Sequence, residues 1–485
     1  MEEKLYEKLI ALSGTDEYPF HMPGHKRVTG NMEFDLINKW DITEIEGFDN
    51  LHHPEGILKQ EQEFASDLYG TKYTFFLVNG STSGILASIC GCLRDGDSIV
   101  MARNSHKSAY NAVYLKGLQV HYVYPSVCKE KFYIHGKITA KDVADQMEKS
   151  RAKVVFLTSP TYEGIVSDIA QIAEEVHNRD GILIVDEAHG AHLGFHSGFP
   201  QSASKQGADI VIQSMHKTLP ALTQSALLHI CTDRVDVEKI RCQLSIFQTS
   251  SPSYVLMGSM SYCLHLLKKQ GKEFFDSYNR RLRDFYNQTR ELKHLSVMTP
   301  EEVCKIYDAS FDPSKINICV ENAKDSKGAP YGGKELSKDL LETYRLQMEM
   351  TSEKHVIAMT SICDTQEGFD RLIRALFAID QKLICGCIND DKVETTVKET
   401  DCRPCIEMSV KSALEAEREK IEWKNSVGKI SAEYIYLYPP GSPIIIPGEI
   451  LSSDIWEKIE RYKTLSLNIQ GTEDYKLEKL WVVKK

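Results

Sequence analysis

Two short motifs hold the residue types best suited to chemistry. The apolar run Ile182-Leu183-Ile184-Val185 leads into Asp186-Glu187-Ala188-His189-Gly190, and the run Ala208-Asp209-Ile210-Val211-Ile212 leads through Gln213 into Ser214-Met215-His216-Lys217. Each run reads as a buried strand, so a carboxylate and a lysine reach the C-terminal edge of one sheet, where ligands of such sheets bind. That pair suits pyridoxal 5'-phosphate (PLP): the lysine holds its aldehyde as an imine and the acid keeps its pyridine nitrogen protonated. Asp186 would be buried, and a buried carboxylate needs a cation, which a pyridinium supplies. His189 follows closely enough to reach the cofactor's phenolic oxygen or a substrate carboxylate. Ser214 and His216, flanking the lysine, are candidate phosphate ligands.

Three more segments end at the same edge. Residues 73–78 are followed by Asn79-Gly80-Ser81-Thr82-Ser83-Gly84 and then by helical Ile85-Leu86-Ala87. A strand, a small hydroxyl-rich loop and a helix start together make an anion site, although they also describe an ordinary capped turn. His106, in Asn104-Ser105-His106-Lys107-Ser108, offers a flat ring to stack on a pyridine, or is a surface-loop histidine. In Thr158-Ser159-Pro160-Thr161-Tyr162-Glu163-Gly164 the hydroxyls, Thr161 among them, can touch a cofactor or a substrate carboxylate, or only form the turn.

The elements that must position these residues follow from the hydrophobic pattern. Short β-rich runs at 73–78, 98–102, 121–124, 154–158, 182–186, 210–213 and 226–230 alternate with helical stretches. Strands separated by helices predict βαβ units and a mostly parallel sheet covered on both faces, an α/β fold. Long helices follow at 235–295, then a second α/β segment with a strand at 315–320 and helices at 332–346 and 365–383, and finally a charged helix at 409–423. We expect an entry arm (1–50), a large cofactor-binding domain (51–300), a small α/β domain (301–387) and a C-terminal domain (388–485) that opens with a polar linker.

Composition narrows the function classes. The chain has 485 residues, 42% of them hydrophobic and 26% charged, with a net charge of −11. That balance argues against broad nucleic-acid binding and is compatible with a cationic substrate. No apolar run approaches a bilayer span and the N-terminus lacks a signal-peptide pattern, so the expected location is cytoplasmic, without a membrane partner. The 13 cysteines are scattered, as reduced thiols are. Cys385, Cys387, Cys402 and Cys405 form two close pairs that could bind zinc. The one-residue gap in the first pair and the proline in the second favour unliganded thiols, and no metal is expected.

With these motifs together, the chain resembles the Orn/Lys/Arg decarboxylase family of fold-type-I PLP enzymes over nearly its whole length. The matching segments are Phe20-His21-Met22-Pro23-Gly24-His25-Lys26, Leu51-His52-His53-Pro54-Glu55-Gly56, 79–84, 104–108, 186–192, 214–217, and Tyr438-Pro439-Pro440-Gly441 running on to Pro447-Gly448-Glu449. The resemblance implies that Lys217 carries the cofactor, Asp186 pairs with the pyridine nitrogen and His106 stacks on the ring. It implies that Ser81, Thr82, Ser214 and His216 hold the phosphate, with Ser83 and Ala188 beside the cofactor and His189 beside the substrate. The segment Thr249-Ser250-Ser251-Pro252-Ser253-Tyr254 resembles the one that reaches a neighbouring subunit's phosphate, which implies a homodimer, or a dimer-based oligomer, with shared active sites. The flavodoxin-like N-terminal domain of the large members is not recognisable, so the chain resembles their shorter, wingless branch.

The implied reaction is decarboxylation of a basic amino acid, with Lys217 or His216 as the proton donor at Cα. Arginine and lysine fit equally and ornithine less well. A distal guanidinium or ammonium calls for a carboxylate, for which Glu449 and Glu55 are candidates. The alternatives are an aminotransferase or Cα–Cβ lyase of the same fold, which would anchor the substrate carboxylate with an arginine such as Arg371 or Arg374, or a catalytically silent relative. The i, i+3 spacing of those arginines suits a solvated helix face, and an intact Lys217 and Asp186 argue against silence.

Overall fold

The structure, a computed structural model, describes residues 16–20, 42, 44, 48–126, 134–320, 323–385, 403–439 and 441–484. Most of the expected entry arm, residues 21–26 of the first motif, the 388–401 linker, Cys387, Cys402 and Pro440 lie outside the described residues.

Seven strands form the central sheet: β1 (Tyr73–Leu77), β2 (Ser98–Ala102), β3 (Gln119–Val123), β4 (Val154–Thr158), β5 (Ile182–Asp186), β6 (Ile210–Gln213) and β7 (Ala226–Ile230). Their spatial order is β1-β7-β6-β5-β4-β2-β3. All neighbours run parallel except β7, which is antiparallel to both β1 and β6. The central strands are apolar throughout because both faces are covered. Ile184, Ile210 and Ile212 pack toward Ile85 and Ile89 of α1 (Gly80–Cys92) and Val113 of α2 (Lys107–Lys116). Their strand neighbours Leu183, Val185 and Val211 face the other way, onto Val143 and Met147 of α3 (Ala140–Ser150) and Ile172 and Val176 of α4 (Ile169–His177). Gly84 lets α1 lie close to the sheet: a Cβ there would sit 2.7 Å from Leu77 Cδ1.

Beyond the sheet, a 36-residue helix (Tyr254–Thr289) buries Met257, Met260, Leu264, Leu267 and Phe275 along one stripe. It leads to a four-stranded antiparallel sheet of β8 (Leu295–Val297), β9 (Lys315–Val320), β10 (Met350–Thr351) and β11 (His355–Met359), ordered β8-β9-β11-β10. The boundary expected at 300 therefore falls inside this sheet. No helix among the described residues is long and apolar enough to cross a membrane.

The expected helix at 409–423 is only Val410–Glu415; Arg418–Glu422 is a strand paired antiparallel with Lys479–Val483. Its run of charges reads as a helix surface, but Arg418 and Lys420 lie over the Trp481 ring of the partner strand, at 4.6 and 5.5 Å. The C-terminal segment is fastened to the large domain through Arg103, just after β2. Arg103 Nη2 donates to Glu449 Oε2 at 2.9 Å and to the Ile444 carbonyl at 3.2 Å, while Nη1 donates to the Pro443 carbonyl at 2.7 Å. Truncating Arg103 would strand a buried carboxylate, a loss of about 3–5 kcal/mol. Arg103→Ala is expected to lower the thermal midpoint and speed proteolysis of the C-terminal segment, and the double change Arg103→Met/Glu449→Met to recover much of the loss. Unchanged unfolding and proteolysis of Arg103→Ala would contradict this assignment.

Candidate active site

The register of β5 and β6 sets the site. Asp186 lies opposite Ile212, two residues before Ser214 and just ahead of the one-turn helix Met215–Thr218 that carries Lys217. Lys217 Nζ is 2.9 Å from His189 Nε2, so the first motif supplies both the acid and the imidazole around the lysine. Asp186 is 3% exposed. Burial pushes its carboxyl up to about 6, against the pull of Lys217 and of the Ala188 N–H, which donates to Oδ1 at 3.1 Å. Burial likewise lowers the Lys217 ammonium, although Asp186 and Glu349 favour its charge. Burial and the Lys217 charge keep His189 neutral, with its pKa well below the usual imidazole range.

One cavity brings together Ser81, Asn104, His106, Thr158, Thr161, Tyr162, Glu163, Asp186, Ala188, His189, Lys217 and Ser442. Asn79 caps α1 without a side-chain hydrogen bond to the helix. Its Oδ1 instead accepts from Thr249 N at 3.2 Å, which leaves the first turn of α1 uncapped by that side chain. The loop carrying Thr249 thus sits beside the helix start of its own chain, while the Thr249 and Ser251 side chains are exposed and outside the cavity. Ser83 Oγ donates to the Gly80 carbonyl at 2.9 Å, Thr82 is exposed, and His216 Nδ1 lies 3.0 Å from the Ser225 carbonyl. His106 caps α2, its Nδ1 2.8 Å from Ser108 Oγ; burial first, then Lys217, holds its pKa down at about 4, so the ring is neutral. Gly441 packs against that ring and Ser442 Oγ donates to the Asn104 carbonyl at 2.8 Å, making the C-terminal segment a wall of the cavity.

The donor set fits PLP. Thr158 Oγ1, Asn104 Oδ1 and His189 Nδ1, on residues lining the cavity, and Ser214 Oγ, three residues before Lys217, are buried polar atoms with no partner among the described residues. Buried polar groups are normally satisfied, and a polar ligand answers all of them at once.

The other sequence candidates are placed elsewhere. Glu449 is fully buried on Arg103, and its Oε2 also accepts from Ile446 N at 2.9 Å, so it holds the C-terminal segment instead of facing a substrate. Glu55 is exposed and outside the cavity. Thr161 lines it, with its hydroxyl accepting from Ile165 N at 3.2 Å and bonded to Glu163. Cys385 and Cys405 are exposed free thiols, and no group of three or more metal-ligating side chains occurs among the described residues.

Sequence reasoning missed the small-domain side. Asp312, fully buried, takes His192 Nε2 at 3.1 Å, Ser314 Oγ at 2.8 Å and Lys315 Nζ at 3.8 Å. Burial alone would raise its pKa; His192 and Lys315 hold it at about 2. This cluster ties the segment after Asp186 to β9, while Tyr162, packed on the His189 ring at 4.6 Å, donates its hydroxyl to Glu349. His192 and Asp312 are 120 residues apart and Tyr162 and Glu349 187 apart, so no local pattern marks these pairs.

The buried Asp186 also makes a pH signature. Its folded pKa of about 6 exceeds the ordinary 3.8, so protonation stabilises the cofactor-free fold fully below 3.8, and that stability is lost as pH rises through about 6. Asp186→Asn should therefore make the cofactor-free protein more stable at pH 7, by about 2–3 kcal/mol, with the difference vanishing toward pH 4. Thermal midpoints across that range check it, and a less stable variant at pH 7 would contradict it.

Comparison with known proteins places this geometry. The profile described as Orn/Lys/Arg decarboxylase, major domain, matches residues 3–327, and that of the C-terminal domain matches residues 396–467. An arginine decarboxylase of Bacillus anthracis is 30% identical over 490 residues, spanning 100% of this chain and 97% of its own. The lysine decarboxylase LdcF of Francisella novicida superposes with a TM-score of 0.77 at 20% identity, covering 98% of this chain and 80% of its own. The fold-type-I architecture extends to an alanine–glyoxylate aminotransferase from Nostoc, at TM-score 0.53, 13% identity and 66% of this chain against 86% of its own. The chain belongs to the Orn/Lys/Arg decarboxylase family.

Proposed function

We propose that this chain decarboxylates a basic amino acid, arginine in the first place, with PLP as its cofactor. The observation that carries the reading is the meeting of Lys217, Asp186 and the start of α1 at one cavity. Full-length similarity to arginine decarboxylases, at 30% identity, favours arginine over lysine.

PLP, when bound, supplies an electron sink for the pair left on Cα as the carboxylate departs. Lys217 would anchor its aldehyde, and Asp186, ionised against the pyridine nitrogen, would regain the cation that its burial demands. His106 packs on the ring from the side backed by Gly441. Ser81, Ser214, His216 and the α1 amides take the phosphate, with Thr82, Ser83 and Ala188 alongside. Thr249 and Ser251, exposed on their own chain, are offered to the neighbouring subunit's phosphate in a homodimer with shared sites. The Cα–carboxylate bond breaks, carbon dioxide leaves, and Lys217 returns a proton to Cα. Neutral His189, 2.9 Å from Lys217 Nζ, is placed to return a proton to the lysine amine that this step leaves behind. The product is the amine of the basic amino acid, and the setting is cytoplasmic.

The aminotransferase alternative finds little support in the two arginines expected to serve it: neither Arg371 nor Arg374 lines the cavity, and Arg374 is exposed. Arg371 is engaged by the Asp16, Tyr344 and Arg345 carbonyls at 2.9, 3.4 and 3.3 Å. Incubating PLP-loaded protein with arginine, lysine and ornithine and reading products by mass spectrometry tests the proposal. Agmatine is expected as the main product, with a loss of at least about a thousandfold in Lys217→Ala. All three amino acids returned unchanged, or converted to oxo acids, would contradict it.

A further inference from the structure

Among the described residues, Asp186 and Glu163 line the cavity and Glu349 stands beside it, and two of these three carboxylates have evident work. Asp186 faces Lys217, and Glu349 accepts the Tyr162 hydroxyl and favours the Lys217 charge. Glu163 differs. It lines the cavity, is 9% exposed, and has no ion pair with any described lysine, arginine or histidine. Its carboxyl is bonded by the Thr161 hydroxyl and its own backbone N–H. Burial raises its pKa with no opposing cation, and Lys217, on the same cavity, is not among the groups acting on it. Among the described residues no cation therefore offsets the burial of the Glu163 carboxyl.

The position is built. Asn317 Nδ2 donates to the Glu163 carbonyl at 2.7 Å and to the Lys315 carbonyl at 3.0 Å. Asp312 N donates to the Gly164 carbonyl at 2.8 Å. Gly164 has φ +102°, and a Cβ there would meet the Asp312 carbonyl and Lys315 Cβ at 3.0 Å, so only glycine allows the turn to press against β9. These contacts fix the backbone at Glu163, and a buried carboxylate without an ion-pair partner is costly there unless a cation arrives. A substrate that presents its α-amino group at Lys217 and a cation at the far end of its side chain supplies one.

We infer that Glu163 binds the distal cation of the substrate and sets the preference for basic amino acids, a role that rests on the decarboxylase reading above. A guanidinium can engage both carboxylate oxygens and an ammonium makes a point contact, so the same residue bears on arginine against lysine.

The test compares PLP-loaded wild type, Glu163→Gln and Glu163→Asp. Glu163→Gln is expected to raise KM for arginine by about 10- to 100-fold, with a smaller change in kcat, because one charged hydrogen-bond partner is lost. Agmatine binding, read by calorimetry, should weaken by a similar factor, and Glu163→Asp should recover part of both. Turnover of citrulline, the neutral isostere of arginine, should change little. Unchanged arginine KM and agmatine affinity would overturn the inference, as would arginine and citrulline turnover falling together. If the wild type releases no amine from any basic amino acid, the decarboxylase reading fails, whereas agmatine binding still reports on Glu163.

Discussion

Asp186 and Lys217 sit in a site dry enough that burial raises the acid to about 6 and lowers the lysine, yet each still favours the other's charge. Neither group is comfortable in the cofactor-free protein, and much of the surrounding structure exists to keep them there. Parallel pairing of β5 with β6 delivers both to one edge, and the apolar cores on both sheet faces make that edge rigid. A stored electrostatic cost at the reacting centre is what such a site needs, because the incoming polar ligand is then bound where protein groups lack partners.

The rest of the chain closes the site from two directions. From the C-terminal side, Arg103 and Glu449 form a buried pair that brings Gly441 and Ser442 against His106 and Asn104. From the side of β9, Asp312 gathers His192, Ser314 and Lys315, and Tyr162 leans on His189 while reaching Glu349. The cavity is thus a junction of three segments. Its lining holds the lysine–acid pair and also the Glu163 carboxylate, which has no ion pair among the described residues.

What was legible in the sequence follows from the range of each interaction. Asp186 and Lys217 end continuous apolar runs, and such runs mark buried parallel strands whose C-terminal ends must carry the ligand. The partner of Glu449 was not legible, because a distinctive motif marks shared ancestry without telling which partner a side chain meets; here it meets Arg103, 346 residues away. Arg418–Glu422 was read as helix because alternating charges do not show that the strand lies across a tryptophan. Glu163 stood in a segment singled out for its hydroxyls, and its standing as an unpaired carboxylate emerges only when β9 is packed behind it.

The most direct measurement of the central claim is the covalent position of the cofactor. The protein would be loaded with PLP, reduced with borohydride to fix a pyridoxyl group on the lysine that holds it, digested and mapped by mass spectrometry. The account predicts the pyridoxyl group on Lys217, with none retained by Lys217→Ala. Modification at another lysine, or equal retention by Lys217→Ala, would contradict it.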